Sequence, residues 1–362
     1  MFSAPALPSR QERLAILEKV AASLPRMRFD TWNFGDSTGF EGMIESGRVL
    51  KDDTYFAFAH GWMRAWATRP TPYQRMDATA PGMAMVEVAH LANDTILLGE
   101  LIGLARYLMS RPVDRGIFDM WESMCLIPPY GGEMLPPKEA ALLAQPPRGS
   151  CVDCLHFDPP FFTALGKALD DPEFTEVGIS QALAYIEALQ QPDGIFDHFF
   201  MHGVAGTFGP GWGRGQGWSM LGLLDVLKNI SEDNPARAHI LSAVQKQIHR
   251  MIELQRPDGR WWCVVHDPTS GEEGSTAAFM ATGFARAIKM GIVSKEDVLP
   301  HAINALAGAL DDTDANGHLR NVTAAVMAST RASHYVHTPR GFLVPWGQGP
   351  LALAICEMDD LI

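Results

Sequence analysis

The chain has 362 residues, 47% hydrophobic and 20% charged, which supports a large folded core and excludes a disordered chain. Its 29 basic and 42 acidic residues leave a formal charge of −13; this argues against a nucleic-acid partner but not against an acidic substrate held by local arginines. No apolar run reaches membrane-spanning length and the first ten residues hold no apolar core for a leader, so the expected setting is cytoplasmic, with no membrane partner.

Helical periodicity dominates, and alternating strands are scarce. Residues 10–25 form a first amphipathic helix that ends near Pro25. Trp32-Asn33-Phe34-Gly35-Asp36-Ser37 enters an apolar helix from Thr38 to about Leu50, and Lys51-Asp52-Asp53-Thr54-Tyr55 starts another, to about Thr68. Turns at Pro70, Pro72 and Pro81-Gly82 precede Asn93-Asp94, which opens a further helix. Residues 126–149, rich in proline and glycine, read as a long functional loop on the active-site side. Helices resume after it with no change of composition, so residues 1–362 read as one domain. Next, Cys151-x-x-Cys154 with His156 has redox or metal spacing, but a zinc site would want a second such pair and a thioredoxin-like motif a βαβ context. The five cysteines read as plain thiols in a reducing compartment.

The chain repeats itself. Leu189-Gln190-Gln191-Pro192-Asp193-Gly194 recurs as Leu254-Gln255-Arg256-Pro257-Asp258-Gly259, with a weaker echo at Asp314-Ala315-Asn316-Gly317. Each reads as a turn closing one helix, and paired helices at this interval suggest a closed ring of hairpins in an inner and an outer layer. Loops at one end of such a ring would build the pocket.

The most distinctive stretch is Trp212-Gly213-Arg214-Gly215-Gln216-Gly217-Trp218, read as a glycine loop feeding a helix that starts at Trp218. A guanidinium beside indoles suits a sugar carboxylate: the fork binds the acid while a ring packs on the C–H face. Other clusters at helix mouths are Trp32-Asn33 with Asp36, Asn93-Asp94, Asp153 before an aromatic run, and His198. A carboxylate at such a position is most often only a cap. Asp153 differs in its apolar surroundings, where desolvation would raise its pKa, as a general acid requires. His198 reads equally as a sugar-hydroxyl ligand or a buried structural histidine, and His202 is its rival.

The tryptophan–glycine stretch, together with Asp153-Cys154-Leu155…Pro160-Phe161-Phe162, Gly194-Ile195-Phe196-Asp197-His198, Asp258-Gly259-Arg260-Trp261-Trp262 and Glu273-Gly274-Ser275-Thr276, resembles glycoside hydrolase families 88 and 105, the unsaturated glucuronyl and rhamnogalacturonyl hydrolases. The resemblance runs from about Trp32 to Trp346 and is loosest in the N-terminal third. It implies an all-α (α/α)6 barrel and an oligosaccharide substrate ending in a 4,5-unsaturated uronic acid. It also implies a reaction begun by hydrating the C4=C5 double bond, with no metal or organic cofactor. Carried over, Asp153 is the general acid and base and Asp94 the second active-site carboxylate. Trp212, Arg214 and Trp218 then line the uronate subsite with His198 on a hydroxyl, and the helix-mouth pair Trp32 and Asn33 adds two further substrate-binding candidates. Some relatives carry a Gly-Gly-aromatic-His stretch before the acid; Gly131-Gly132-Glu133 departs from it, which leaves the leaving sugar open. Three other readings stay open: an epimerase or isomerase pairing His198 with His266 or His334, a non-catalytic sugar-binding barrel, and an inverting glycosidase using Asp94 and Asp153.

Overall fold

The computed structural model describes residues 5–29 and 32–362; residues 1–4, part of the stretch read for a leader, lie outside the described residues. In chain order the helices are α1 (Arg10–Ser23), α2 (Asp36–Leu50), α3 (Thr54–Ala67), α4 (Gly82–Leu91), α5 (Thr95–Met109), α6 (Pro137–Ala144) and α7 (Cys154–Leu169). They continue as α8 (Pro172–Leu189), α9 (Gly213–Asn229), α10 (Arg237–Glu253), α11 (Gly274–Lys289), α12 (Lys295–Asp311), α13 (Ser333–Val336) and α14 (Pro345–Met358). Helices α2, α4, α7, α9, α11 and α14 touch in that order, and α14 returns to α2, closing an inner ring. Outside them pack α3, α5, α8, α10, α12 and α1, each against its inner neighbour. This is an (α/α)6 barrel. Among the described residues no helix is long and apolar enough to cross a membrane.

The inner helices crowd together, and the glycines permit it. A Cβ on Gly217 would stand 2.3 Å from the Phe279 ring of α11, and one on Gly222 would stand 2.1 Å from the Leu155 carbonyl of α7. Glycine here serves helix-to-helix approach, so α9 starts at Gly213 and not at Trp218: the expected loop is a helix. Positive φ is instead needed just upstream, at Gly209 (+67°) and Gly211 (+69°).

Inner helices also share a buried charge network. Arg286 of α11 lies 3.1 Å from Asp225 of α9, 2.8 Å from Glu357 of α14 and 4.0 Å from Glu41 of α2. Glu41 in turn meets His156 of α7 at 3.1 Å. Removing one member of such a network strands the others in a dry interior.

The repeated turns link successive outer helices. Gln190 donates to Gly194 O of its own turn (3.1 Å) and to Ala243 O of α10 (2.9 Å); Gln255 repeats this with Gly259 O (3.2 Å) and His301 O of α12 (3.0 Å). Gly194, Gly259 and Gly317 all have positive φ, and a Cβ on them would press against α10, α12 and α1 in turn. The weak third echo thus closes the ring onto the first helix.

Candidate active site

Chain direction builds the site. Inner helices α2, α7, α9 and α14 begin at one end of the barrel, and residues at their starts (Asp36, Asp153, Trp212, Arg214, Trp346) line a cavity of about 1000 Å³. Asn33, Phe34, Trp121, His198 and Trp218 line it as well, so the wall is rich in aromatic rings of the kind that pack against sugar C–H faces. Its volume matches a small-molecule or short-oligosaccharide site.

A short antiparallel ladder places the polar centre. Gly149–Cys151 pairs with Phe199–Met201, Cys151 opposite Phe199, and the Val152 N–H donates to His198 O at 2.7 Å. The next residue, Asp153, is therefore held against His198. The Asp153 side chain does not cap α7; its Oδ2 is buried, has no hydrogen-bond partner, and lies 3.5 Å from His198 Nε2. Tyr335 OH bonds His198 Nδ1 at 2.7 Å, and the imidazole lies against Trp212, centroids 4.3 Å apart. The ring is thus oriented with Nε2 toward the carboxylate.

The indole N–H groups of Trp212 and Trp218 are buried without partners, as donors awaiting a ligand would be. Trp218 rests on Phe279 at 4.8 Å. Arg214 lies over Trp212 at 4.8 Å and near Trp346 at 5.9 Å. Its Nη1 donates to Glu273 (3.1 Å) and Thr323 (2.5 Å), and its Nη2 donates to Ala324 O (3.0 Å). Three of the five guanidinium N–H groups assigned to a substrate carboxylate are therefore committed within the protein and the charge is paired with buried Glu273, which leaves Nε–H and one Nη2–H for a ligand. Asp36 accepts a hydrogen bond from the Asn33 backbone at 2.9 Å on Oδ2, while its buried Oδ1 has no partner. Burial pushes Asp36 up to about 7, against the pull of that N–H.

Two expected residues lie elsewhere. Asp94 caps α5, accepting from the Ile96 and Leu97 N–H groups at 3.1 and 3.0 Å, and binds His60 at 2.8 Å and Arg64 at 2.5 Å. Burial alone would raise its pKa, but Arg64, the Leu97 N–H and His60 together hold it well below the usual carboxylate range. It begins an outer helix, after α4 has run away from the cavity end, so it does not line the cavity. Trp32 packs edge-on against Phe40 and Trp66 (5.8 and 6.3 Å) and lines a separate cleft of about 310 Å³ with Trp62 and Arg69. His202 Nε2 lies 2.7 Å from Asp119 Oδ1, away from the cavity wall, so of the two rival histidines it is His198 that faces the cavity.

Sequence reasoning missed Tyr335, Trp121 and Trp346. A signal for the last exists: Trp346-Gly347-Gln348-Gly349 echoes Gly215-Gln216-Gly217, and both glutamines clamp the preceding segment. Gln216 bonds Phe196 N and O at 2.9 and 2.8 Å; Gln348 bonds Leu319 N at 2.9 Å and Gly317 O at 2.8 Å. Residues 126–149 are not all loop, since they contain α6. Glu133 and Glu139 bind Arg331 at 2.7 and 3.2 Å, and Tyr130 stacks on His334 at 4.6 Å, which docks the insert beside the segment holding Tyr335.

Known proteins share this architecture. The unsaturated rhamnogalacturonyl hydrolase YesR of Bacillus subtilis is 20% identical over 353 residues, covering 96% of this chain and 94% of that protein. An unsaturated 3S-rhamnoglycuronyl hydrolase of Alteromonas sp. is 24% identical over 237 residues, covering 61% of this chain and 56% of its own length. Among solved structures, a possible GH105 member from Salmonella enterica superposes with a TM-score of 0.82 at 20% identity, covering 98% of this chain and 96% of that one. An unsaturated glucuronyl hydrolase from Bacillus sp. GL1 does so with 0.71 at 16% identity, covering 96% of each. Residues 16–362 match the profile of Glycosyl Hydrolase Family 88, a span that takes in every inner helix and all the described residues of the cavity wall. The chain belongs to glycosyl hydrolase family 88.

Proposed function

We propose that the protein releases a 4,5-unsaturated uronic acid from the non-reducing end of lyase-generated oligosaccharides by hydrating the C4=C5 bond. The observation that carries this reading is the Asp153 carboxyl: buried, unpartnered at Oδ2, beside His198 and walled by indoles. In the proposed reaction Asp153 delivers a proton to C4, and positive charge develops at C5, next to the ring oxygen. Asp153 then takes a proton from the water that adds at C5. The product is a hemiketal, which opens and frees the neighbouring sugar as an alcohol. Across the two steps the enzyme's proton inventory is unchanged.

Trp212 and Trp218 hold the sugar face and offer their free indole N–H groups, while the remaining N–H donors of Arg214 suit a uronate carboxylate better than a neutral ring. Asn33 and His198 contribute hydroxyl contacts, and Asp36, in place of Asp94, supplies the second carboxyl of the cavity. The ring acts as one domain, and its five unpaired cysteines suit a cytoplasmic setting. Pairing His198 with His334 or His266, as the epimerase reading would need, finds no support here. His334 spends Nδ1 on the Tyr130 N–H (3.3 Å) and Nε2 on Val326 O (2.6 Å), and His266 does not line the cavity.

Incubation with lyase-generated unsaturated disaccharides should abolish their near-ultraviolet absorbance. Retained absorbance with an altered sugar configuration, or hydrolysis of saturated uronides, would overturn the reading.

A further inference from the structure

The motif Cys151-x-x-Cys154 is split by the fold. Cys154 begins α7 and faces Ser150 and Tyr185, whereas Cys151 lines the cavity. The partners of Cys151 are instead Asp153 and His198, the latter 47 positions along and brought in by the two-strand ladder. One ligand atom from each of the three, the thiol sulfur, a carboxylate oxygen and a ring nitrogen, lies within 4.8 Å of the others, and all three residues are buried.

We propose that Cys151, Asp153 and His198 form a binding site for a thiophilic divalent cation, represented by zinc, and that the ion inhibits the enzyme by taking the Asp153 carboxylate. The distance between His198 Nε2 and Asp153 Oδ2 supports it. At 3.5 Å it is long for a hydrogen bond, yet two ligands on a tetrahedral zinc at the usual bond lengths stand about 3.4 Å apart. Asp153 Oδ2 is buried and has no other partner. The Tyr335 hydroxyl on Nδ1 leaves Nε2 as the coordinating nitrogen, which is the outer support that metal-bound histidines have. Charge also fits, because one thiolate, one carboxylate and one neutral imidazole cancel a doubly charged ion inside a poorly solvated wall. Binding exchanges the thiol proton of Cys151, and any proton on Asp153, for the ion, with no change of oxidation state. The fourth position opens on the cavity, where water fills it.

Only the inhibitory part rests on the proposed role of Asp153, so binding and inhibition are measured separately. Cobalt(II) added to the reduced protein should give a thiolate-to-cobalt charge-transfer band that saturates at one equivalent and is displaced by zinc(II). Cys151→Ser should abolish the band, His198→Gln should weaken binding, and Tyr335→Phe, which removes the outer support of the imidazole, should weaken it about 10–100-fold. Cys125→Ser and Cys154→Ser should keep it, with circular dichroism verifying the fold of each variant. Zinc should stop turnover of unsaturated disaccharides reversibly, a chelator restoring it, and Cys151→Ser should lose that sensitivity relative to its own zinc-free rate. A band that is absent, or that survives Cys151→Ser, overturns the site. Stoichiometric binding with undiminished turnover overturns the inhibition while leaving the site standing.

Discussion

Asp94 and Asp153 each stand at the start of a helix with a histidine in reach, yet the two carboxylates are partnered in opposite ways. Asp94 spends its oxygens on two backbone N–H groups, His60 and Arg64, and is a finished cap. Asp153 makes no cap bond and leaves Oδ2 bare beside His198, whose other nitrogen Tyr335 holds. The difference follows from chain direction. An inner helix begins at the cavity and an outer helix begins at the far end, so the same residue in the same local position faces the cavity in one and an arginine in the other. The cap bonds and Arg64 take one oxygen of Asp94 and His60 takes the other, so neither is free for chemistry.

The largest test of this contrast is Asp153→Asn. It should lower kcat about 10²–10⁴-fold with substrate binding nearly intact, measured by turnover and calorimetry; a variant with normal turnover would take Asp153 out of the mechanism.

Asp36 sharpens the contrast as a third aspartate at a helix start, on the cavity side like Asp153. Its folded carboxyl sits at about 7 against 3.8 unfolded, so the folded state holds the proton longer. Stability contributed by the neutral carboxyl is full below about 4 and is lost as pH rises toward 7, on the order of 4 kcal/mol at most. Urea midpoints across that window should fall for the natural protein and fall less for Asp36→Asn.

Asp94→Ala should cost about 1–2 kcal/mol of stability through the lost cap while leaving kcat within roughly twofold. The loss should shrink in acid, because a carboxylate held below its usual range stabilises the fold above about pH 4 and ceases to as pH falls. A large loss of turnover would return Asp94 to the machinery. Smallest is Tyr335→Phe. Deleting one hydrogen bond worth about 1 kcal/mol should slow turnover roughly fivefold if His198 orientation matters, with KM little changed.

Much of the ring was legible in advance. The repeated Gln-x-Pro-Asp-Gly turns announced helical hairpins, because a turn needing positive φ after α8, α10 and, in the weaker echo, α12 leaves its mark as glycine. Asp153, His198, Trp212, Arg214 and Trp218 carry unusual residue types at helix mouths, and the fold brings all five to one cavity. Trp32 and Asp94 looked the same by those criteria and lie elsewhere. The glycines of α9 read as a loop because nothing local shows what they let approach; the answer is Phe279 and Leu155, from helices distant in sequence.

Local sequence determined where helices form, where they turn, and which residue types could bind an acidic sugar, because capping, periodicity and glycine conformation act within a few residues. Only the closed ring decided which helix starts share a cavity, that Glu273, Thr323 and the Ala324 carbonyl occupy Arg214, and that Tyr335 orients His198. Those outcomes depend on contacts between segments 59 to 137 residues apart, and no short-range preference encodes them.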